Sequence, residues 1–233
     1  MLYQRQRQSP DRLNNSARRT YDLLRSTLVT TGRSMLLVER ELTDALSASR
    51  NTVRAVLQQL AREGLVTREP KNGTRATGSV LLPIDELTPI ESRILECRLL
   101  GCPPLVRDRL RLPAGWTVLM IESLMLEDDL PLGLSVNYIA LGEEQSPDFD
   151  IDEGDVIHIL ERQLGIRIGG SQTTVGAVAA DEQTAELVGV EVGAPLIWLE
   201  DVIEDEDGQP RALSQLRLRG DRVAFSANAY RSA

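Results

Sequence analysis

Two periodicities divide this chain. From Ser16 to Gly64 apolar residues recur at three- and four-residue intervals, the spacing of one face of an α-helix. Ala17, Tyr21, Leu24 and Leu28 mark a first helix, Leu42, Ala45 and Leu46 a short second one, and Val53, Val56, Leu57 and Leu60 a third. Ser49 precedes the third helix, where its hydroxyl can accept an orphan backbone N–H. Gly64 follows as a stop, because left-handed backbone costs least without a Cβ. "LVTREPKNGTRATG" then reads as strand, turn and strand, with Asn72-Gly73 at the tip. Two helices joined by a short turn, with a hairpin behind them, outline a winged helix-turn-helix.

Composition changes across "ATGSVLLPIDELTP", which holds two prolines. The expected organisation is a flexible arm (1–15), a winged-helix domain (16–78), a linker (79–90) and a second domain (91–233). The second domain contains a repeat. "GWTVLMIESLMLEDDLPLGLS" begins at Gly115 and "GAPLIWLEDVIEDEDGQPRALS" at Gly193; Ser135 and Ser214 are equivalent positions 79 apart. Each copy predicts strand, acidic turn and strand, "DEDGQP" being the stronger turn. "DVIHILERQLGIRI" places Val156, Ile159, Leu160 and Leu164 on one helical side. "DEQTAELVGV" predicts a helix capped by Asp181, with Ala185 and Leu187 inward. The fold class is α+β: a winged helix followed by an antiparallel sheet with flanking helices.

Charge sharpens this division. Residues 1–80 carry 14 basic and 7 acidic side chains, residues 81–233 carry 12 and 28, within a total of −9. A basic module for a polyanion is thus joined to one that a polyanion would repel. With the stripe from Val53 to Leu60 inward, Arg50, Asn51, Arg54 and Gln58 project outward. Arginine pairs bidentately with guanine and asparagine with adenine in the major groove. Ser49 and Thr52 offer hydroxyls for a phosphate near the helix start, and Lys71, Gly73, Thr74 and Arg75 form the wing that flanks it.

No apolar run nears the roughly 20 residues of a bilayer span, and the N-terminus lacks a signal-peptide core. Two cysteines, Cys97 and Cys102, do not make a disulfide framework, so a reducing cytoplasm is expected. Neither cofactor nor metal is expected. His158 is the only histidine and has no catalytic partners at a recognisable spacing; the cysteines with one distant histidine do not form a zinc set.

"ERELTDALSASRNTVRAVLQQLAREGLVTREPKNGTR" resembles the winged helix of the GntR family of bacterial transcription regulators. The resemblance implies that Arg40, Arg50, Thr52, Arg54 and Gly73 serve double-stranded operator DNA. Leu37 and Val38 stand where that family has Pro and Ser, which removes a capping serine; Arg75 and Ala76 replace an aromatic or β-branched residue and a valine. "LGIRI", "VGAVAADEQTAELVGVEVGAPLIWLEDVIEDEDGQP" and "LSQLRLRGDRVAF" resemble the UTRA domain of the HutC subfamily, whose fold is similar to chorismate lyase.

That resemblance implies a homodimeric, ligand-released repressor with no membrane partner and no enzymatic activity. The alternatives are a constitutive DNA-binding protein with a vestigial sensor and, less favoured, a lyase-like enzyme. Sugar-phosphate-sensing members carry an Arg-x-Arg pair where this chain has Ser123 and Met125. A pocket glutamate is replaced by Ser135, and a pocket Ser and Tyr by Asp155 and Ile157. Phosphate recognition wants bidentate arginine, so the expected effector is less anionic and more apolar, touched by Met125, Ser135, Tyr138, Ile157 and Ser214.

Overall fold

A computed structural model of the chain describes residues 15–32, 34–69, 73–141 and 154–229. All of the expected arm but Asn15, together with Lys71 and Asn72 of the wing, lies outside the described residues. The chain separates into two compact units between Leu81 and Leu82.

The first unit runs α1 (Asn15–Thr31), β1 (Leu36–Leu37), α2 (Glu39–Ala45), α3 (Arg50–Arg62), β2 (Val66–Glu69) and β3 (Gly73–Ala76). β1, β3 and β2 form a three-stranded antiparallel sheet in that spatial order. Leu24 and Leu28 of α1 meet Val53, Val56, Leu57 and Leu60 of α3, all nearly inaccessible. Burying each such side chain stabilises the unit by about 1.5–3 kcal/mol before entropy is counted. Tyr21 joins them from the edge and donates its hydroxyl to Glu63 Oε2 at 2.5 Å. Burial, reinforced by that carboxylate, pushes its phenol up to about 12. Gly64 ends α3 at φ +78°, as its position predicts. On α2 the reading needs correction: Leu42 and Leu46 reach the core, but Ala45 is exposed. Two turns present only a narrow stripe, and Ala45 falls outside it.

The second unit is built on one six-stranded antiparallel sheet. Its strands are β5 (Ser92–Gly101), β6 (Thr117–Glu127), β7 (Leu130–Ala140), β8 (Ile168–Ala179), β9 (Pro195–Asp205) and β10 (Pro210–Arg219). The spatial order is β5-β6-β7-β10-β9-β8. The repeated segments are the hairpins β6–β7 and β9–β10, and the order shows how they combine: each third strand, β5 or β8, lies outside its own hairpin. The 79-residue offset relating Ser135 to Ser214 also relates Val136 to Gln215. These two are partners across the central ladder, so the pseudo-twofold passes between them.

Two helices cover one sheet face. Val106 and Leu110 of α4 (Pro104–Leu110) pack on Val118, Ala140 and Leu213. α6 (Glu182–Val188) puts Val188 on Leu124 and Leu134 and Ala185 on Leu196. Asp181 caps α6 by accepting the Thr184 N–H at 2.8 Å, while Leu187 is only partly buried. The weaker turn closes tightly because Asp128 and Asp129 both take positive φ, 48° and 62°.

The other face is covered by α5 (Val156–His158), which continues as a π-helical turn, Ile159–Gln163. Ile157, Ile159 and Leu160 pack there on Leu119 and Ile121 of β6 and Ile139 of β7. The sequence pattern predicts a single regular helix here. The Leu164 N–H instead donates to the Ile159 carbonyl, five residues back, at 3.0 Å. β-branched Val156, Ile157 and Ile159 lose rotamer freedom in a regular helix. Residues 79–90 are more than a tether. β4 (Val80–Pro83), whose last two residues open the second unit, pairs with β11 (Val223–Ser226), and Ile84 donates to the Ser226 carbonyl at 2.8 Å.

At Gly133, opposite Leu218, β7 leaves no room for a side chain over β10. A Cβ there would stand 2.3 Å from the Arg217 carbonyl oxygen and 2.9 Å from Leu218 Cα. Gly133→Ala is therefore expected to destabilise the second unit by roughly 1–3 kcal/mol. Calorimetry should show its transition lowered and that of the first unit unchanged.

Candidate functional site

On the first unit, α3 begins as the sequence implies. Ser49 Oγ accepts the Thr52 N–H at 3.1 Å and lies 2.9 Å from Thr52 Oγ1. Arg40, Arg50, Asn51 and Arg54 are exposed, as are Gly73 and Arg75 of the wing; Thr52 and Thr74 are half-buried. Gly73 adopts φ +80°, with Leu36 Cδ1 3.3 Å from where a Cβ would be. Val38 precedes α2 without a side-chain cap, the local consequence of the missing serine.

Sequence reasoning missed Glu39, in the first turn of α2. Its Oε2 accepts from Arg54 Nε at 2.8 Å, and its Oε1 from Arg68 Nη2, on β2, at 3.3 Å. An exposed ion pair adds little stability, but this one has a geometric effect. With Nε held and the side chain exposed, the two terminal amino groups of Arg54 remain as donors, a fork that matches a guanine edge. The contacts span 15 and 29 residues, beyond any local motif.

The second unit has a partly open cavity of about 100 Å³ on the face bearing α5. Strand register explains its polar wall. Thr173, Asp201, Ser214 and Asn137 are successive partners across β8, β9, β10 and β7, and all four line the cavity. The rows on either side are mostly apolar: Leu199 and Leu216 on one, Ile203 and Ala212 on the other. Thr173 donates its hydroxyl to Asp201 Oδ1, and Asn137 Nδ2 donates to Ser135 Oγ at 3.3 Å. The Ser214 hydroxyl is buried and has no hydrogen-bond partner among the described residues.

Asp155 closes another side. Its Oδ1 accepts the His158 N–H at 2.9 Å, capping α5, and its Oδ2 accepts the Ile90 N–H at 3.2 Å. Burial pushes the Asp155 carboxyl up, against the opposing pull of those N–H donors. Burial likewise raises Asp201, with the Thr173 hydroxyl opposing it. No lysine, arginine or histidine is among the described residues lining the cavity.

The structure brings Met125, Ser135, Asp155, Ile157 and Ser214 together at this cavity. Ser123 faces the same way but is sealed beneath Gly154, whose carbonyl accepts its hydroxyl at 3.3 Å. Tyr138 is not brought there. Side chains alternate along β7, so the neighbour of Asn137 points to the opposite face, where Tyr138 packs beside Val106 and Leu110 of α4. Thr173, Asn137 and Asp201 were missed. The available signal was an acid between Leu199 and Ile203 at alternate positions of one strand.

A description of the UTRA domain matches residues 88–224, and one of bacterial regulatory proteins of the gntR family matches residues 17–75. This chain belongs to the UTRA-bearing gntR regulators. It is 27% identical over 214 residues to the HTH-type transcriptional regulator Rv0792c of Mycobacterium tuberculosis, covering 83% of this chain and 77% of that protein. It is 22% identical over 203 residues to the probable fructoselysine utilization operon transcriptional repressor of Escherichia coli K12, covering 81% and 82%. The crystal structure of PhnF from Mycobacterium smegmatis superposes with a TM-score of 0.63 at 21% identity, over 91% of this chain and all of that one. That likeness supports the α+β architecture of this gntR regulator. Its gntR domain implies DNA binding, and its UTRA domain implies a small-molecule effector. No helix among the described residues is long and apolar enough to cross a membrane, and none of their His, Cys, Asp and Glu side chains gather as a metal site.

Glu39→Gln is expected to leave the fold intact while freeing Arg54. The ratio of operator to scrambled-DNA affinity should fall severalfold, and non-specific affinity should rise as a negative charge leaves the surface. Anisotropy titrations on both DNAs at one salt concentration measure this.

Proposed function

We propose that this regulator is a ligand-responsive repressor. As a homodimer in the cytoplasm it binds a palindromic operator with half-sites about one helical turn, roughly 10 bp, apart. Arg50, Asn51 and Arg54 read base edges, while Arg40, Ser49, Thr52 and the wing residues Lys71, Gly73, Thr74 and Arg75 serve phosphates and the flanking groove. The effector occupies the cavity that Met125, Ser135, Asp155, Ile157 and Ser214 help to line. Repression carries over from the names of the relatives. A non-enzymatic role carries over in the same way, from relatives named as regulators.

The observation that carries the effector reading is the Asp155–Ile90 hydrogen bond. Leu82, Ile84, Leu87 and Ile90 wall the cavity, and the same peptide continues back into the DNA-binding unit. A ligand that prefers one arrangement of this segment shifts the DNA-competent population by that preference and no more.

Genome-wide capture of fragments by the purified protein, followed by shift assays on the strongest site, tests this reading. A compact palindrome released by a metabolite extract is the expected result; uniform, salt-sensitive binding without a motif would refute it. On the captured site, Arg54→Ala should cost about 1–3 kcal/mol and alter sequence preference. Lys71→Ala should weaken all sequences alike and reduce the salt slope by about one. Identical behaviour of the two variants would refute this division of labour.

A further inference from the structure

The cavity has a charge asymmetry that bears on what it holds. Among the described residues its charged lining is Asp155, Asp201 and Glu86, with no basic residue. An adjoining cleft, which shares Glu86, Ile157 and Thr173 with it, adds Asp85 and Glu161 and again no basic residue. Acidic walls of low dielectric focus potential and raise the local concentration of cations.

The two half-buried aspartates differ in commitment. Both oxygens of Asp155 accept backbone N–H groups and hold two chain segments together. Asp201 receives hydroxyls from Thr173, its partner on β8, and from Ser171, two residues along the same strand. It makes no ion pair with any described residue, whereas Glu200 beside it is paired with Arg109 on the opposite face. A carboxylate has about four lone-pair sites, so Asp201 keeps acceptor capacity. Its partner on β10 is Ser214, 2% exposed, which lines the cavity and whose hydroxyl has no partner among the described residues. A buried polar group left without a partner is costly.

We infer that the cavity takes a ligand with a primary ammonium or comparable cationic N–H group, which donates to Asp201 and Ser214. Resting on the effector-site reading above, this names the chemistry of that site. The ligand body lies on Leu199, Leu216, Leu218, Ile157 and Phe225, the apolar part of the lining. Phosphate and carboxylate ligands meet three acids and no guanidinium. The cation supplies the counter-charge that the chain does not.

Two matched sets of probes test this on the full-length protein: cyclohexylamine, cyclohexanol and cyclohexanecarboxylate, then butylamine, butanol and butyrate. Melting temperature and calorimetric affinity are the readouts. At least one amine is expected to stabilise the protein saturably, with about tenfold or greater preference over its alcohol and carboxylate, the scale of a charge-assisted contact. Asp201→Asn, which keeps an acceptor for Thr173, should abolish the preference. Ser214→Ala should weaken amine binding yet leave the ligand-free melting temperature unchanged or raised, since it removes an unpaired buried hydroxyl. A purely structural serine would give the opposite sign.

Equal or better binding of alcohols or carboxylates would overturn the inference. So would silence of all six compounds, or an amine response that survives in both variants. If a metabolite extract still releases the operator in any of these cases, the effector-site reading stands and only the ligand class is wrong. If the extract also fails, the effector-site reading falls with it.

Discussion

The register of β7 on β10 is the constraint on which the second unit depends. These strands join the two copies of the repeated hairpin. Their pairing places Asn137 opposite Ser214 and Gly133 opposite Leu218. Gly133 leaves no room for a side chain over β10, which pins the ladder sterically at one end. A slip by one residue would reverse every side chain on a strand. Ser214 would turn toward α4 and α6, and the apolar set that packs them would turn toward the cavity. Both the helix-covered core and the polar wall follow from one alignment.

The first unit solves a different problem with different means. Its core is small and is assembled by periodicity on three helices, so few long-range choices remain. What must be specified is the direction of exposed arginines, whose long side chains are otherwise free to turn. Glu39 provides this at low energetic cost, drawing α2, α3 and β2 to one carboxylate. The missing cap at Val38 fits a helix held by neighbours more than by its own terminus.

Local features were legible in the sequence, and pairwise ones were not. The helix stripes, the Ser49 and Asp181 caps, the Gly64 stop and the repeated hairpin all rest on spacings within a few residues or on self-similarity. The misplacement of Tyr138 shows where this stops: choosing the face of a strand residue needs the register, which is set by a partner strand some 75 residues away in the chain. The Thr173–Asp201–Ser214–Asn137 row is legible only after four strands are aligned. Likewise the π-helical turn keeps Ile159 and Leu160 on the apolar face, so a 3.6-residue pattern does not distinguish it from a regular helix.

The hydrogen bond from Ile90 to Asp155 has a consequence for how such proteins can be recombined. Residues 82–90 are at once the exit from the DNA-binding unit and a wall of the cavity. A chimera that grafts this sensor onto another reading head keeps the cavity whole when the junction falls at 81. Joined after 90, it inherits a foreign wall and loses the backbone donor that Asp155 requires. The functional seam of the protein thus lies near the start of its apparent linker and not at its end, and modular exchange succeeds or fails on those nine residues.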